Sequence, residues 1–235
     1  MRLLISVQDV DEAREALLGG ADIIDVKRPS EGSLGACPPR VIMEVRRALP
    51  SDVEVSAAIG DFPDLPGSAS LAALGAAVAG ANYVKVGIYG PKTLGSALRL
   101  LGEVKEAVDS AGSGVRLVAA SYADYVRAGC LSPWEVLEAA RRVDADVWMV
   151  DTKVKDGLSL LDFLSLESLG RLIDAAHDHG LLAAVAGSLG LAHIELLRGL
   201  GADVVGFRSA VCNGDRVGGR VKRELVMEIK RRLSL

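Results

Sequence analysis

Four copies of one short signal punctuate the chain: Gly20-Ala21-Asp22, Gly80-Ala81-Asn82, Asp144-Ala145-Asp146 and Gly201-Ala202-Asp203. Each copy runs into a strand-like stretch, at residues 23–27, 83–87, 147–151 and 204–208. The copies recur about every 60 residues, twice the length of a strand-plus-helix unit. Four more apolar runs lie between them, at residues 3–6, 53–59, 115–121 and 181–187, which makes eight. Runs this short and this apolar read as parallel strands buried on both faces.

The intervening segments read as helices. Leu94, Ala97, Leu98, Leu101, Val104 and Val108 share one face at helical spacing, as do Leu166, Leu169, Ile173 and Ala176. Ser132-Pro133-Trp134-Glu135 has the form of a capping box with proline in the first helical position, and Asp9 with Glu12 offers another helix start. Eight strands alternating with eight helices in 235 residues leave about 29 residues per unit. That ratio predicts an α/β chain folded as a single closed (β/α)8 TIM barrel, with residues 1–235 in one domain. An open doubly wound sheet is the competing arrangement.

Composition excludes some classes. Half the chain is apolar but only 4% is aromatic, so packing rests on small and branched aliphatic side chains. A net charge of −4 argues against a general nucleic-acid surface. The most apolar stretches, near residues 71–81 and 181–192, fall short of the roughly 20 residues needed to span a bilayer, so no membrane partner is expected. No signal-peptide pattern opens the chain. Cys37, Cys130 and Cys212 are far apart and lack metal-ligand spacing, which predicts a reduced, cytoplasmic protein with no bound metal. Association into a homo-oligomer is expected because small barrels often pair.

Side chains alternate across a strand, so positions of equal parity in the four repeats face the same side. Three residues past the Asp or Asn stand Asp25, Lys85, Met149 and Gly206; five past it stand Lys27, Gly87, Asp151 and Arg208. If that side is the barrel interior, Asp25, Lys27, Lys85, Asp151 and Arg208 converge near the C-terminal mouth, where barrel active sites are built. A lysine among apolar walls and other cations loses its proton more readily, and the free amine attacks a carbonyl to form a Schiff base. A second lysine or an aspartate then moves protons. A purely structural alternative pairs Asp25 with Lys27 and lets Lys85 reach solvent from a strand end.

The last two strands carry an anion signal. Ala186-Gly187-Ser188-Leu189-Gly190 follows the seventh run, and Gly206-Phe207-Arg208-Ser209-Ala210 closes the eighth. Loops at these places form the phosphate site of many barrels. Gly187 and Gly206 permit close approach, while Ser188, Arg208 and Ser209 offer further donors. Residues 28–36 form a loop that either closes over the mouth or lies plainly on the surface. Residues 60–67 read as a second long loop, from which Asp61 could reach the site. Lys155, in the charged stretch after the sixth run, is either catalytic or solvated. His177, His179 and His193 lie in predicted helices and favour surface or packing roles over metal ligation. The basic residues from Arg220 to Arg232 read as a solvated helix face.

Several stretches resemble the (5-formylfuran-3-yl)methyl phosphate synthase family of methanofuran biosynthesis. They are Ala21-Asp22-Ile23-Ile24-Asp25-Val26-Lys27, Glu31-Gly32-Ser33-Leu34-Gly35-Ala36, the segment from Ser70 to Ala77, and Tyr83-Val84-Lys85-Val86-Gly87. The likeness continues through Tyr122-Ala123-Asp124, Asp151-Thr152, Lys155-Asp156-Gly157, Ala186-Gly187-Ser188 and the segment from Gly219 to Leu225. It spans nearly the whole chain. The resemblance implies a (β/α)8 lyase, without cofactor or metal, that joins two glyceraldehyde 3-phosphate molecules into a phosphorylated furan aldehyde, releasing one phosphate and water. It implies Lys27 as the Schiff-base lysine and Lys85 as the acid/base lysine, with Asp25, Asp151 and Lys155 in support. Lys153 is an extra charge outside that set, and the role of Asp61 stays open. Two rivals remain: a class I aldolase for another phosphorylated sugar, and a non-catalytic barrel that binds a phosphorylated metabolite.

Overall fold

The computed structural model describes residues 1–112 and 114–234. Eight parallel strands close a barrel in chain order: β1 (Arg2–Val7), β2 (Ile23–Val26), β3 (Glu54–Phe62), β4 (Tyr83–Ile88), β5 (Arg116–Tyr122), β6 (Val147–Asp151), β7 (Leu182–Val185) and β8 (Val204–Phe207). β1 pairs with β8, so the sheet is closed and the open doubly wound alternative is excluded. Helices wrap the outside: α1 (Val10–Leu18), α2 (Pro39–Ala48), α3 (Pro66–Val78), α4 (Leu94–Ser110), α5 (Tyr125–Ala128), α6 (Pro133–Arg142), α7 (Leu166–Asp178), α8 (Ile194–Arg198) and α9 (Arg223–Leu233). The described residues thus hold nine α-helices rather than eight, the extra one being the single turn α5. The Ser132–Glu135 capping box and the Asp9 cap both form.

The repeated signal is a device for starting strands. Gly20, Gly80 and Gly201 adopt positive φ after a helix, and Asp144 takes the same conformation in the third copy. The alanine that follows is buried each time. The Asp or Asn then accepts the backbone N–H of the second residue of the preceding strand. Leu3 N donates to Asp22 at 2.7 Å, and Val55 N to Asn82, Leu117 N to Asp146 and Ala183 N to Asp203 at 2.8 Å each. Four equivalent hydrogen bonds therefore stitch β1–β2, β3–β4, β5–β6 and β7–β8 together at the N-terminal face, where donors would otherwise lack partners.

Strand parity divides the core in two. Leu3, Ile5, Val7, Ile24, Val26, Val84, Val86, Trp148, Val150, Val205 and Phe207 pack outward among the helices. Leu4, Ile23, Tyr83, Val118, Val147, Met149 and Val204 fill the barrel interior. The interior is closed at its N-terminal end by Glu54, which pairs with Arg2 and Arg116 and accepts a hydrogen bond from the Tyr83 hydroxyl. The apolar floor leaves polar side chains room only toward the other end.

One strand departs from simple alternation. β3 runs on through Gly60, Asp61 and Phe62, so residues 60–62 are strand rather than the start of a loop. The β3–β4 register jumps between Ala58 and Gly60, leaving Ile59 as a bulge. One extra residue reverses the facing of everything beyond it. Asp61 consequently lies opposite Gly87 on the interior side.

Candidate active site

Two rings of polar side chains sit above the apolar floor. In the lower ring, Ser6, Asp25 and Ser56 are register partners on adjacent strands. Ser6 and Ser56 each donate a hydroxyl hydrogen bond of 2.9 Å to Asp25, and Lys85 Nζ stands 2.8 Å from Asp25 Oδ1. Burial pushes the Asp25 carboxyl up, but Lys85 and Lys27 outweigh it and hold it below its ordinary value. Lys85 is 1% exposed and lies within β4, so it does not reach solvent.

In the upper ring, Lys27 follows β2, Asp151 ends β6, and Lys155 reaches back from the next loop. Lys155 Nζ lies 2.6 Å from Asp151 Oδ1 and 2.9 Å from the Thr152 hydroxyl. Burial opposes charge on Asp151, yet Lys155 and Lys27 bring its carboxyl down to about 2. Asp124 fixes the loop that carries Lys155, accepting the Lys153 and Val154 N–H groups at 2.6 and 2.9 Å.

Lys27 is arranged differently. Its side chain is buried, it forms no salt bridge among the described residues, and its Nζ donates only to the Ser33 carbonyl, at 3.3 Å. The structural pairing of Asp25 with Lys27 does not form; Asp25 instead accepts from Lys85 and two serines. Desolvation lowers Lys27 from 10.5 to about 8; Asp151 and Asp25 pull upward, while Lys85 and Lys155 push down.

The loop after β2 lies across the mouth. Asp61 accepts Ser33 N at 2.8 Å and Leu34 N at 3.1 Å, and Ser33 Oγ donates to the Thr152 carbonyl at 2.7 Å. Leu34 is fully buried and joins the interior cluster. The Tyr122 hydroxyl also donates to Asp61, and burial with that carboxylate raises the phenol well above its ordinary pKa. Gly87 makes this contact possible, since a Cβ there would collide with the Tyr122 oxygen. Lys153 turns away to a 3.3 Å contact with Asp61 and the face of Tyr89.

Gly187, Ser188, Gly206, Arg208 and Ser209 border the same cavity as Lys27 and Lys85. Gly187 has φ +114° and a Cβ on it would stand 3.1 Å from Thr152 N, so only glycine fits without strain. Ser188 itself holds a positive φ. Arg208 departs from expectation: its five N–H donors are already engaged. It forms a buried pair with Glu12 through both terminal nitrogens and binds the carbonyls of Ser6, Arg216 and Gly219 at 3.0–3.1 Å. It borders the cavity as a charge and a brace, with no donor left for a ligand.

The sequence does not single out Arg216, yet it lines the cavity from the loop between β8 and α9. Its only sequence signal is a lone arginine within the glycine-rich run Asn213-Gly214-Asp215-Arg216-Val217-Gly218-Gly219. The histidines lie elsewhere; His177 bonds Asp203 at 2.9 Å. Among the described residues, no cluster of three or more potential metal ligands forms, and no helix is long and apolar enough to cross a membrane. Arg220 precedes α9 and pairs with Asp9, and Lys230 pairs with Asp22, so the basic C-terminal segment is partly tied down.

The chain is similar to known proteins in sequence and in fold. A family model described as 4-HFC-P synthase matches residues 3–230. The (5-formylfuran-3-yl)methyl phosphate synthase of Methanocaldococcus jannaschii is 50% identical over 231 residues, covering 98% of each chain. That of Methanopyrus kandleri is 50% identical over 234 residues, covering 99% of each. In fold, the chain is similar to the crystal structure of KGPDC from Streptococcus mutans. There the TM-score is 0.67 at 10% identity, covering 99% of this chain and 97% of that one. It is also similar to 3-hexulose-6-phosphate synthase from Salmonella typhimurium, with TM-score 0.65, 18% identity, and 100% and 99% coverage.

Proposed function

The chain belongs to the 4-HFC-P synthase family, and from that premise we propose that it condenses two glyceraldehyde 3-phosphate molecules through a Schiff base on Lys27. The product is the phosphorylated furan aldehyde named for its relatives, and methanofuran biosynthesis is the process it serves. One observation carries this reading: Lys27 is the buried lysine at the mouth that lacks a carboxylate partner among the described residues, with its ammonium lowered to about 8. A free amine is what attack on an aldehyde requires.

The surrounding pairs supply the remaining roles. The Lys27 amine adds to the carbonyl of one triose, and loss of water gives the imine. Proton removal from the adjacent carbon yields an enamine, whose carbon attacks the aldehyde of the second triose. Lys85, hydrogen-bonded to Asp25, gives and takes the protons of these steps. Lys155 and Asp151 stand on the opposite side of the same mouth and serve phosphate loss and ring closure. Hydrolysis of the last imine frees the product and restores the Lys27 amine, so that overall two triose phosphates lose one phosphoric acid and two waters to give the furan aldehyde phosphate. Gly187, Ser188, Gly206 and Ser209 receive a phosphate at the rim, and Arg208 supports that rim from behind.

Incubation with glyceraldehyde 3-phosphate alone tests the reaction. The expected result is a new ultraviolet band from a conjugated furan aldehyde together with free phosphate. A new sugar phosphate without that band would make the chain an aldolase, and unconsumed substrate would make it a binding barrel.

A further inference from the structure

Five cations border the mouth: Lys27, Lys85, Lys155, Arg208 and Arg216. Three have carboxylate partners, in the pairs Lys85–Asp25, Lys155–Asp151 and Arg208–Glu12. Among the described residues, Lys27 and Arg216 form no salt bridge. Lys27 is accounted for by the proposed chemistry. Arg216 is not.

Arg216 is half-buried and held in place. Arg208 Nε binds its carbonyl at 3.0 Å, and Asp215 accepts the N–H groups of Val217 and Gly218 at 3.0 and 2.9 Å. Its Nη1 donates to the Pro29 carbonyl at 2.8 Å and its Nη2 to the Gly32 carbonyl at 2.9 Å. Those bonds use two of its five N–H groups. The Nε–H and one N–H on each terminal nitrogen have no hydrogen-bond acceptor among the described residues. A guanidinium with free donors and no carboxylate, beside the Gly187–Ser188 turn and Ser209, matches the fork geometry of a phosphate.

We infer that Arg216 binds the substrate phosphate and, through the carbonyls of Pro29 and Gly32, ties that binding to closure of the loop at residues 28–38. Its side chain bridges the β8 rim and the loop after β2. A phosphate held by its remaining donors fixes the guanidinium, and the fixed guanidinium holds the loop across the mouth. The inference rests on the proposed function only for the identity of the substrate.

The test compares the parent chain with Arg216→Gln and Arg216→Lys. Glyceraldehyde 3-phosphate is used for turnover and inorganic phosphate for binding. Arg216→Gln is expected to raise KM at least tenfold with a smaller change in kcat, and to weaken phosphate binding by a similar factor. Phosphate is expected to slow cleavage after the exposed Glu31 by a glutamate-specific protease in the parent chain and not in Arg216→Gln. Arg216→Lys keeps the charge but not the fork, so it should recover part of the phosphate affinity without the protection. Binding and protection are read without turnover, so a parent chain that binds phosphate and makes no furan refutes the reaction alone. Parent-like phosphate affinity and protection in the lysine variant, or no phosphate binding by the parent chain, would overturn the inference even if the glutamine variant does not fold.

Discussion

Lys85 Nζ lies 2.8 Å from Asp25 Oδ1, with both side chains buried at the centre of the barrel. The same carboxylate takes two serine hydroxyls at 2.9 Å, so it has little capacity left for Lys27, two residues along the strand. Two lysines that look alike in sequence thus have different electrostatic surroundings. One is a hydrogen-bonded ion pair suited to proton exchange, and the other an unpaired amine in a desolvated place.

The Lys27 environment fixes a pH dependence. The free amine appears as pH rises through about 8, so imine formation should climb across that value and level off above it. Between about 8 and 10.5 the unfolded chain binds a proton that the native state does not, so stability should rise with pH in that window. Below it, the buried cation costs on the order of 3 kcal/mol, at roughly 1.4 kcal/mol for each pH unit of that window. Lys27→Met should therefore raise the melting temperature at pH 7 while abolishing turnover. A lower melting temperature in a thermal scan would contradict this account of the site.

Glu12 and Arg208 form a buried pair that braces β8 against α1. Glu12→Ala leaves a buried guanidinium without its counter-charge, a loss of about 3–5 kcal/mol by analogy with other broken buried pairs. Denaturant titration should show this as a large drop in midpoint. A near-neutral result would mean that the carbonyls of Ser6, Arg216 and Gly219 suffice to hold Arg208.

Asp61 holds the 28–38 loop through Ser33 N and Leu34 N. Asp61→Ala should loosen that loop, raising amide hydrogen exchange at Ser33 and Leu34 by at least tenfold while the outer barrel strands keep their protection. Unchanged exchange at those two amides would show that Arg216 and Leu34 pin the loop alone.

Asp146 tests the meaning of the repeat. Its carboxylate caps Leu117 N at 2.8 Å, and Asp146→Ala should cost about 1–3 kcal/mol by leaving that donor unpaired. Chemical denaturation measures it directly, and activity at permissive temperature should be retained because the substitution is at the face opposite the mouth.

Much of this architecture is legible in the chain because the strands obey simple alternation. Parity brings Asp25, Lys27, Lys85 and Asp151 together, and the Gly-Ala-Asp signal marks where four strands begin. Asp61 escapes that reading because the bulge at Ile59 shifts parity by one residue, which no local pattern betrays. Arg208 reads in sequence as a free donor because its partner, Glu12, is far away along the chain and looks there only like a helix-start residue. Arg216 stays hidden for the opposite reason: its meaning depends on which cations lack carboxylates, and pairing is a property of the closed barrel.

The proposed reaction depends first on Lys27 as the covalent amine. Reduction with borohydride during incubation with glyceraldehyde 3-phosphate, followed by peptide mapping, tests it most directly. A stable adduct on Lys27 that disappears in Lys27→Ala is expected. An adduct on Lys85 or Lys155 in the parent chain, or turnover with no trapped adduct at all, would contradict it.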